Sequence, residues 1–469
     1  MERRFEVRLQ EMIEAAEIRA EVLDDLLPQL EEFLHPFLAR YGRSTQRANA
    51  RDYIRGLISD LESKTAEGIA YLHDRQRQGL QKFIGQASWD HRPLVVELVR
   101  QVADELGESD GVLVFDPSGF AKKGSASVGV ARQWCGRVGK VENCQVGVYL
   151  AYVSRREQAL VDVRLYLPKE WTTQPKRMRL SGVPRGTAFA TRHELALEML
   201  DEHGAELPHA WVTGDDEMGR SAEFRGELRS RAERYLLAVP GNTLVRDLEA
   251  QPPPYGGHGS QPKAPLQHVK RWAGGVPESA WRRIEVRAGA KGPLVVEGVT
   301  VRVQTRYRRS HLGPEELLVV FRERQGDGTW KHDYLLSNAS PQTPLAELAR
   351  VFNAEHRVEQ CLQRAKGEAG LADYEVRTWE GWHHHQTLSL VATWFLTRQT
   401  RREKKPRASN HRPAVANADR VASAQGTQRR HDDSSPANRQ PLGPPDRRSR
   451  TLPLAASQPL AANGIPVNV

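Results

Sequence analysis

Three acidic residues, Asp116, Asp215 and Glu359, occupy positions at which carboxylates could act together on metal ions. Asp116 follows the apolar run Gly-Val-Leu-Val-Phe, and Asp215 follows a second run, Ala-Trp-Val-Thr-Gly. We expect each run to be a buried strand that holds its carboxylate rigidly at the end of the strand, whereas Glu359 lies in a strongly helical segment. Carboxylate oxygens suit Mg²⁺, and a pair of such ions can drive phosphoryl transfer on nucleic acid.

The elements around the two aspartates predict how these residues meet. Residues 107–240 contain strands near 111–116, 145–153 and 159–166, a helix at 193–203, a strand ending at Asp215, a second helix and a strand at 235–239. This order matches a ribonuclease-H-like mixed sheet, in which the first and fourth strands lie side by side. The predicted fold class is therefore α+β or α/β, a mixed sheet with flanking helices, with Asp116 beside Asp215.

Composition and periodicity divide the chain into five segments. Apolar residues recur at helical spacing near the N-terminus, a Pro/Gly-rich stretch follows residue 250, and no aromatic residue follows Phe395. We predict a helical N-terminal domain at 1–106, the first part of the catalytic core at 107–240, a β-rich insertion at 241–342, the C-terminal helices of the core at 343–400, and a disordered tail at 401–469. The helical domain could be structural, could dimerise or could bind DNA ends.

The helix that carries Glu359 has a second residue of interest. Thr343 is the predicted N-cap and Pro344 the first helical residue. Glu359 borders the apolar stripe of this helix, and Lys366 follows two turns later on nearly the same face. In a solvated helix Lys366 would have no special role; beside a metal site it would hold a phosphate.

Two basic clusters are candidate DNA contacts. Lys122, Lys123, Arg132, Arg137 and Lys140 follow Asp116 among glycines that allow close approach of a DNA strand. In the insertion, apolar residues alternate with Arg302, Arg306 and Arg308, which predicts a strand with one packed face and one basic face. A basic face is either solvated surface or a phosphate-contacting surface, and the sequence leaves both interpretations open.

The net charge of +9 is concentrated in the C-terminal segment. Residues 401–469 hold 13 Lys and Arg against 5 Asp and Glu, whereas residues 1–400 hold 55 against 54. A nucleic-acid interface on the folded body therefore has to be a local basic face. The three cysteines lack paired zinc spacing, the N-terminus is too charged for a signal segment, and no apolar run reaches the ~20 residues that span a bilayer. These features predict a cytoplasmic protein with reduced thiols.

Several motifs resemble those of the DDE-type transposases of bacterial insertion sequences. They are Asp116-Pro-Ser-Gly-Phe-Ala-Lys-Lys-Gly, the runs from Ser127 and Gly139, Leu167-Pro-Lys-Glu-Trp, Val212-Thr-Gly-Asp-Asp-Glu-Met-Gly, Ala365-Lys-Gly-Glu-Ala-Gly-Leu and Trp379-Glu-Gly-Trp-His-His-His. The resemblance covers roughly residues 25–400. It implies a ribonuclease-H-like catalytic domain with a β insertion before the last catalytic helix.

The resemblance also assigns roles to individual residues. It makes Asp116, Asp215 and Glu359 the catalytic and metal-binding triad, with Asp216 as the neighbouring alternative to Asp215. In a related group the glutamate belongs to a Tyr–Arg–Glu–Lys signature, whose second half Glu359 and Lys366 reproduce. Phe352 and Glu355 replace the tyrosine and arginine of that signature, and Arg357 is the nearby candidate to supply the positive charge to DNA.

The predicted function is a transposase that cuts insertion-sequence ends and joins them to target DNA. The expected cofactors are two Mg²⁺ or Mn²⁺ ions. The expected partners are double-stranded DNA, at terminal inverted repeats and target sites, and a second copy of the chain in the DNA complex, with no membrane. Two alternatives are an inactive DNA-binding remnant of a mobile element and a ribonuclease-H-like nuclease with a host role.

Overall fold

The computed structural model describes residues 26–287, 294–308 and 311–410. The helical spacing predicted within residues 5–13 lies outside these ranges, as does the predicted disordered tail from residue 411 onward. None of the helices in the described ranges is long and apolar enough to cross a membrane.

Within the described ranges, five helices precede the sheet. In the first of them, the side chains at helical spacing, among them Leu30, Phe33, Leu34 and Phe37, are buried. The second helix begins at Ser44, and its N-cap, Arg43, forms no side-chain cap bond. The five helices are α1 (Leu26–Leu38), α2 (Ser44–Leu57), α3 (Ala66–Leu72), α4 (Arg77–Gly85) and α5 (Arg92–Leu106).

Twelve strands of the described residues form one mixed sheet with the order β2-β3-β1-β5-β6-β12-β11-β10-β7-β8, with β4 beside β3 and β9 beside β10. The strands are β1 (Val112–Ala121), β2 (Ala131–Cys135), β3 (Lys140–Val153), β4 (Gln158–Leu165), β5 (Trp211–Gly214), β6 (Tyr235–Ala238), β7 (Leu244–Asp247), β8 (Leu266–His268), β9 (Arg282–Arg287), β10 (Leu294–Arg308), β11 (His311–Arg324) and β12 (Trp330–Ser337).

One half of this sheet has the predicted ribonuclease-H-like topology. Strands β1, β3 and β4 pair antiparallel in the order β4-β3-β1, and β5 and β6 then add in parallel to β1. Strand β1 and strand β5 are joined by a long connection that contains helix α8 (Arg192–His203), as a parallel pair requires. The predicted adjacency of the first and fourth strands is confirmed.

The insertion extends the same sheet. Strand β12 pairs antiparallel with β6, with Leu335 opposite Ala238, and β11 and β10 follow outward. The predicted alternation in β10 is present, since Val301, Val303 and Thr305 are buried between more exposed residues. A separate cluster of apolar side chains packs β10 and β11 against the short helix α11 (Val269–Gly274).

Helices cover the sheet. The short connections contain α6 (Lys169–Thr172), α7 (Pro175–Leu180), α8 (Arg192–His203), α9 (Asp216–Gly219), α10 (Ala222–Ser230) and α11 (Val269–Gly274); the last two helices are α12 (Leu345–Glu368) and α13 (Trp379–Asn410). Helix α12 begins one residue later than predicted, because Pro344 has an extended ψ of 134° and acts as the N-cap. Helix α13 continues past residue 400, where the tail was predicted to begin.

The core is continuous between these layers. Buried side chains of α1–α5, of β1, β3 and β4, and of α12 and α13 belong to one apolar cluster. Residues 381–395 of α13 are buried on every side, because this helix lies between the N-terminal helices and β4. Whether the five predicted segments fold as separate domains stays a prediction.

Candidate active site

Asp116 and Asp215 lie next to each other because of the register between β1 and β5. The last paired residues of these parallel strands are Phe115 and Gly214, and each aspartate follows one of them directly. We had predicted that strand β1 ends at Asp116. That prediction is wrong, because β1 continues to Ala121 along β3. Asp116 therefore lies where β1 loses its second neighbour, and the next residue, Pro117, needs no hydrogen-bond partner on that open side.

Asp215 is fixed by the helix that follows it. It is the N-cap of α9, and its Oδ1 accepts hydrogen bonds from the backbone N–H groups of Glu217 and Met218, both at 3.1 Å. The preceding Gly214 allows this tight turn: a Cβ there would lie 2.9 Å from the carbonyl oxygen of Phe115. One carboxylate oxygen is thus anchored to backbone, and the orientation of the other follows from it.

Glu359 reaches the same place from helix α12. A cleft of about 810 Å³ is lined by Asp116, Asp215 and Glu359 together with Glu355 and Lys366. The two aspartates are half-buried, whereas Glu359 is exposed. The structure therefore brings the three predicted catalytic residues together, two on rigid backbone at the sheet and one at the mouth of the cleft.

The two aspartates of the cleft have raised pKa values. Burial, and next the charge of Asp116, raise the pKa of Asp215 to about 7. Burial also raises the pKa of Asp116 to about 6; the positive charge of Lys366 opposes this shift and Glu359 adds to it. A divalent cation would relieve this repulsion, because it favours the ionised form of each carboxylate.

Lys366 is the cation that lines this cleft among the described residues. Its Nζ donates a hydrogen bond to the Ser118 hydroxyl at 2.7 Å, and it lies 5.2 Å from the centroid of the Phe120 ring. Both contacts are with strand β1, so that the ammonium group is held close to Asp116. Lys366 therefore supplies a positive charge beside Asp116.

A second acidic group is present elsewhere. Within the described ranges, the group whose ligand atoms all lie within 4.8 Å of one another consists of Asp162, Glu202 and His203, not the triad. Arg164 forms ion pairs with both Asp162, at 3.0 Å, and Glu202, and Arg92 pairs with Glu202 at 2.8 Å. These arginines already neutralise the two carboxylates, so the group is explained as a structural ion-pair network.

The basic residues after Asp116 differ in their exposure and contacts. Lys123, Arg132 and Lys140 are exposed, and Lys140 pairs with Glu142 at 3.2 Å. Lys122 is half-buried, with its Nζ 3.4 Å from the centroid of the Tyr374 ring, and burial lowers its pKa to about 8. Lys122 and Lys123 line a neighbouring cleft of about 890 Å³, to which Arg377 contributes a further positive charge.

The arginines of the basic face of β10 differ in their surroundings. Arg302 is engaged by carboxylates, with Nε 3.2 Å from Glu249 and Nη1 3.5 Å from Glu315. Arg306 is exposed, and the side chain of Arg308 lies outside the described part of the chain. The structure thus reduces the argument for Arg302 as a phosphate contact, because an arginine between two carboxylates is already neutralised.

The structure separates the residues at the altered signature positions. Phe352 is buried and stacks on Phe321 with ring centroids 5.2 Å apart. Arg357 does not reach the cleft: its guanidinium donates to Gln158 Oε1 and, at 2.7 Å, to the carbonyl oxygen of Ser154. Glu355, by contrast, lines the cleft. Sequence reasoning missed it as a site residue, although its spacing of four residues from Glu359 places both on one helix face.

The three consecutive histidines of α13 are buried structural residues. His384 has a ring nitrogen 2.8 Å from the carbonyl oxygen of Trp89, and His385 has ring nitrogens 2.9 Å from the Tyr53 hydroxyl and 3.0 Å from the carbonyl oxygen of Gly370. The three cysteines are likewise buried and free of disulfides. Neither set lines the acidic cleft.

The fold and this cleft define an enzyme of the ribonuclease-H-like class with a carboxylate site suited to metal-dependent phosphoryl transfer. A family model for the DDE superfamily endonuclease matches residues 36–293, which is more than half of the chain, and the chain belongs to this family. Enzymes of this superfamily use divalent metal ions.

Relatives agree with this membership. The chain is 27% identical over 331 residues to a probable transposase for insertion sequence element IS701 from Microchaete diplosiphon, covering 68% of this chain and 74% of that protein. The predicted family and the predicted transposase function are confirmed. A solved piggyBac transposase synaptic complex with hairpin DNA has a TM-score of 0.38 and 10% identity, covering 79% of this chain and 68% of that one, and this likeness is too distant to transfer any residue.

Proposed function

We propose that this transposase uses Asp116, Asp215 and Glu359 to cut the ends of an insertion sequence and to join them to target DNA. The observation that carries the proposal is the convergence of these three residues, from two adjacent strands and one helix, on a single cleft. Membership of the DDE superfamily supports the reaction class. Terminal inverted repeats and target DNA are the proposed double-stranded substrates.

The donor set fits two divalent cations. Five carboxylates and one ammonium line the cleft among the described residues, namely Asp116, Asp215, Glu355, Glu359, Asp373 and Lys366. Fully ionised, they leave four negative charges, which two divalent ions would balance. Oxygen donors favour Mg²⁺ or Mn²⁺ over softer metals.

The residues of the cleft have different proposed roles in the reaction. Asp116 and Asp215 hold fixed positions because backbone pairing and the α9 cap orient them, and Glu359 closes the site from the helix. Bound metal would activate the attacking oxygen and stabilise the leaving oxygen. A water first attacks the phosphodiester, and the released DNA 3′-hydroxyl later attacks a target phosphate. Lys366 would hold a phosphate oxygen beside Asp116 in both steps.

The proposed DNA path leaves the cleft along one segment. Residues 372–373 line the catalytic cleft, and residues 374–378 line the neighbouring cleft with Lys122 and Lys123. A strand held at Lys366 could therefore continue past these lysines, with Arg132 and Lys140 on the hairpin nearby. Arg306 and Arg308 are the proposed contacts on the insertion. A second copy of the chain is proposed to complete the complex with paired element ends.

The test is cleavage of labelled DNA that carries the sequences flanking this gene, in the presence of Mg²⁺ or Mn²⁺. Asp116→Asn, Asp215→Asn and Glu359→Gln should each abolish nicking and leave thermal unfolding and DNA binding intact. Asp216→Asn is the matched control, because Asp216 is exposed and pairs with Arg220 at 2.7 Å. Near-normal cleavage by any of the three variants would remove that residue from the site.

A further inference from the structure

Helix α12 presents two glutamates to the catalytic cleft. Glu355 and Glu359 are separated by one helical turn, and both line the cleft that contains Asp116 and Asp215. They lie at different depths, since Glu359 is exposed and Glu355 is half-buried. The deeper of the two is thus the one that the resemblance to known transposases does not assign.

The surroundings of Glu355 are acidic. Besides burial, the charges of Asp215 and then Asp116 raise its pKa to about 8, and Asp333 and Glu359 add to this effect. Asp215 and Asp116 are the strongest electrostatic neighbours of Glu355. Glu355 shares the cleft with both of these aspartates.

Glu355 has no hydrogen-bonding partner among the described residues. Its carboxylate forms no hydrogen bond or ion pair with the residues that the structure describes. The nearest arginine in sequence, Arg357, is turned toward Ser154 and Gln158, and Lys366 is hydrogen-bonded to Ser118. A half-buried carboxylate in this position is unfavourable unless a proton or a cation joins it.

We propose that Glu355 is a fourth metal-facing carboxylate of the catalytic site, presented from the helix position at which related transposases carry a DNA-contacting arginine. The inference rests on the proposed function of the Asp116–Asp215–Glu359 site. At this helix position the signature of related transposases has a DNA contact, whereas this chain would have a metal ligand. Phe352, the other altered position, is buried and stacks on Phe321.

The test measures Mn²⁺ binding to the full-length protein without DNA, by electron paramagnetic resonance titration, and the Mn²⁺-induced rise in melting temperature. Glu355→Gln should weaken binding by at least tenfold or remove one bound ion, and should reduce the melting shift. Glu368→Gln is the matched control on the same helix: Glu368 is exposed, pairs with Arg364 and does not line the cleft. This control should bind Mn²⁺ as the wild type does.

A second variant separates a ligand from a mere structural role. Glu355→Arg places the signature residue in the cleft and should abolish Mn²⁺ binding and cleavage, whereas a DNA-contacting position would tolerate or favour it. Metal-free Glu355→Gln should melt at the wild-type temperature or above it, because the change removes repulsion without breaking a contact. Wild-type Mn²⁺ stoichiometry and affinity in Glu355→Gln would overturn the proposal.

The failure of this inference can be distinguished from failure of the proposed function. If Glu355→Gln binds Mn²⁺ normally while Asp116→Asn and Asp215→Asn lose it, only the role of Glu355 is refuted. If the aspartate variants also retain Mn²⁺ binding and cleavage, the metal site itself is misplaced.

Discussion

Lys366 on helix α12 and Ser118 on strand β1 are joined across the catalytic cleft by a hydrogen bond of 2.7 Å between Nζ and Oγ. The bond links the helix that carries Glu359 to the strand that carries Asp116. The ammonium group also counteracts the effect of burial on the pKa of Asp116. We expect Lys366 to orient a phosphate, and its charge favours the ionised form of Asp116.

Lys366→Ala should reduce cleavage of element-end DNA by about 100-fold, the effect expected when a positioning group is lost. Single-turnover cleavage at saturating protein measures this loss separately from binding. Arg364→Ala is the control, because Arg364 lies on the same helix but pairs with Glu368 at 3.0 Å. An equal loss in both variants would assign the effect to the helix and not to the ammonium group.

Asp215 has a structural role in addition to its proposed metal role, because it caps α9. Asp215→Asn keeps an acceptor for the two backbone N–H groups, whereas Asp215→Ala removes it. Both variants should be inactive, but Asp215→Ala should be less stable than Asp215→Asn by about 1 kcal/mol. Urea unfolding without metal measures the difference, and equal stability would show that the cap contributes nothing.

Buried histidines make stability sensitive to acid. Burial lowers the pKa of His385 to about 4, so between about pH 6.5 and pH 4 the unfolded chain binds a proton that the folded chain excludes. The contribution of neutral His385 is complete above pH 6.5 and is lost as the pH falls. From pH 7.5 to pH 5, the free energy of unfolding of the wild type should therefore fall by about 2 kcal/mol relative to that of His385→Gln. A pH-independent difference in urea unfolding would contradict this assignment.

A buried ion pair connects the insertion to the core. Arg225 on α10 donates to Glu316 on β11, with Nε and Oε1 2.9 Å apart, and the hydroxyl of Tyr235 donates to the same oxygen at 2.6 Å. Arg225→Met leaves a buried carboxylate without its partner and should cost about 3–5 kcal/mol of unfolding free energy. The double variant Arg225→Met with Glu316→Leu should lose less than the single variant, and a larger loss would mean that packing and not charge dominates.

The proposed DNA contact of the β10 face can be tested at Arg306. Arg306→Ala should lower the slope of log affinity against log salt by about 0.9, the value for one phosphate contact. The same measurement on Arg302→Ala tests whether an arginine that pairs with Glu249 and Glu315 also contacts DNA. Fluorescence anisotropy across a salt series makes the comparison. Unchanged slopes in both variants would assign this face to solvated surface.

The order of the elements was determined by the sequence itself. Each of these elements was predicted from a local pattern. The apolar runs before Asp116 and Asp215 form β1 and β5, the helical spacing around Glu359 forms α12, and the alternation in residues 301–305 forms β10. The adjacency of the two aspartates also followed, because parallel strands of this topology end at the same edge. Local periodicity was sufficient to predict an element wherever the pattern within that element alone determines which of its faces is buried.

Contacts between distant segments decided the rest. Strand β1 continues past Asp116 because β3 pairs with it as far as Ala121, and the insertion joins the main sheet because β12 finds β6. Glu355 faces the cleft while Arg357 turns to Ser154, although both belong to one helix segment. A local pattern specifies the period of an element, but only the partners across the fold determine the register of its strands and which of its polar side chains reach the active site.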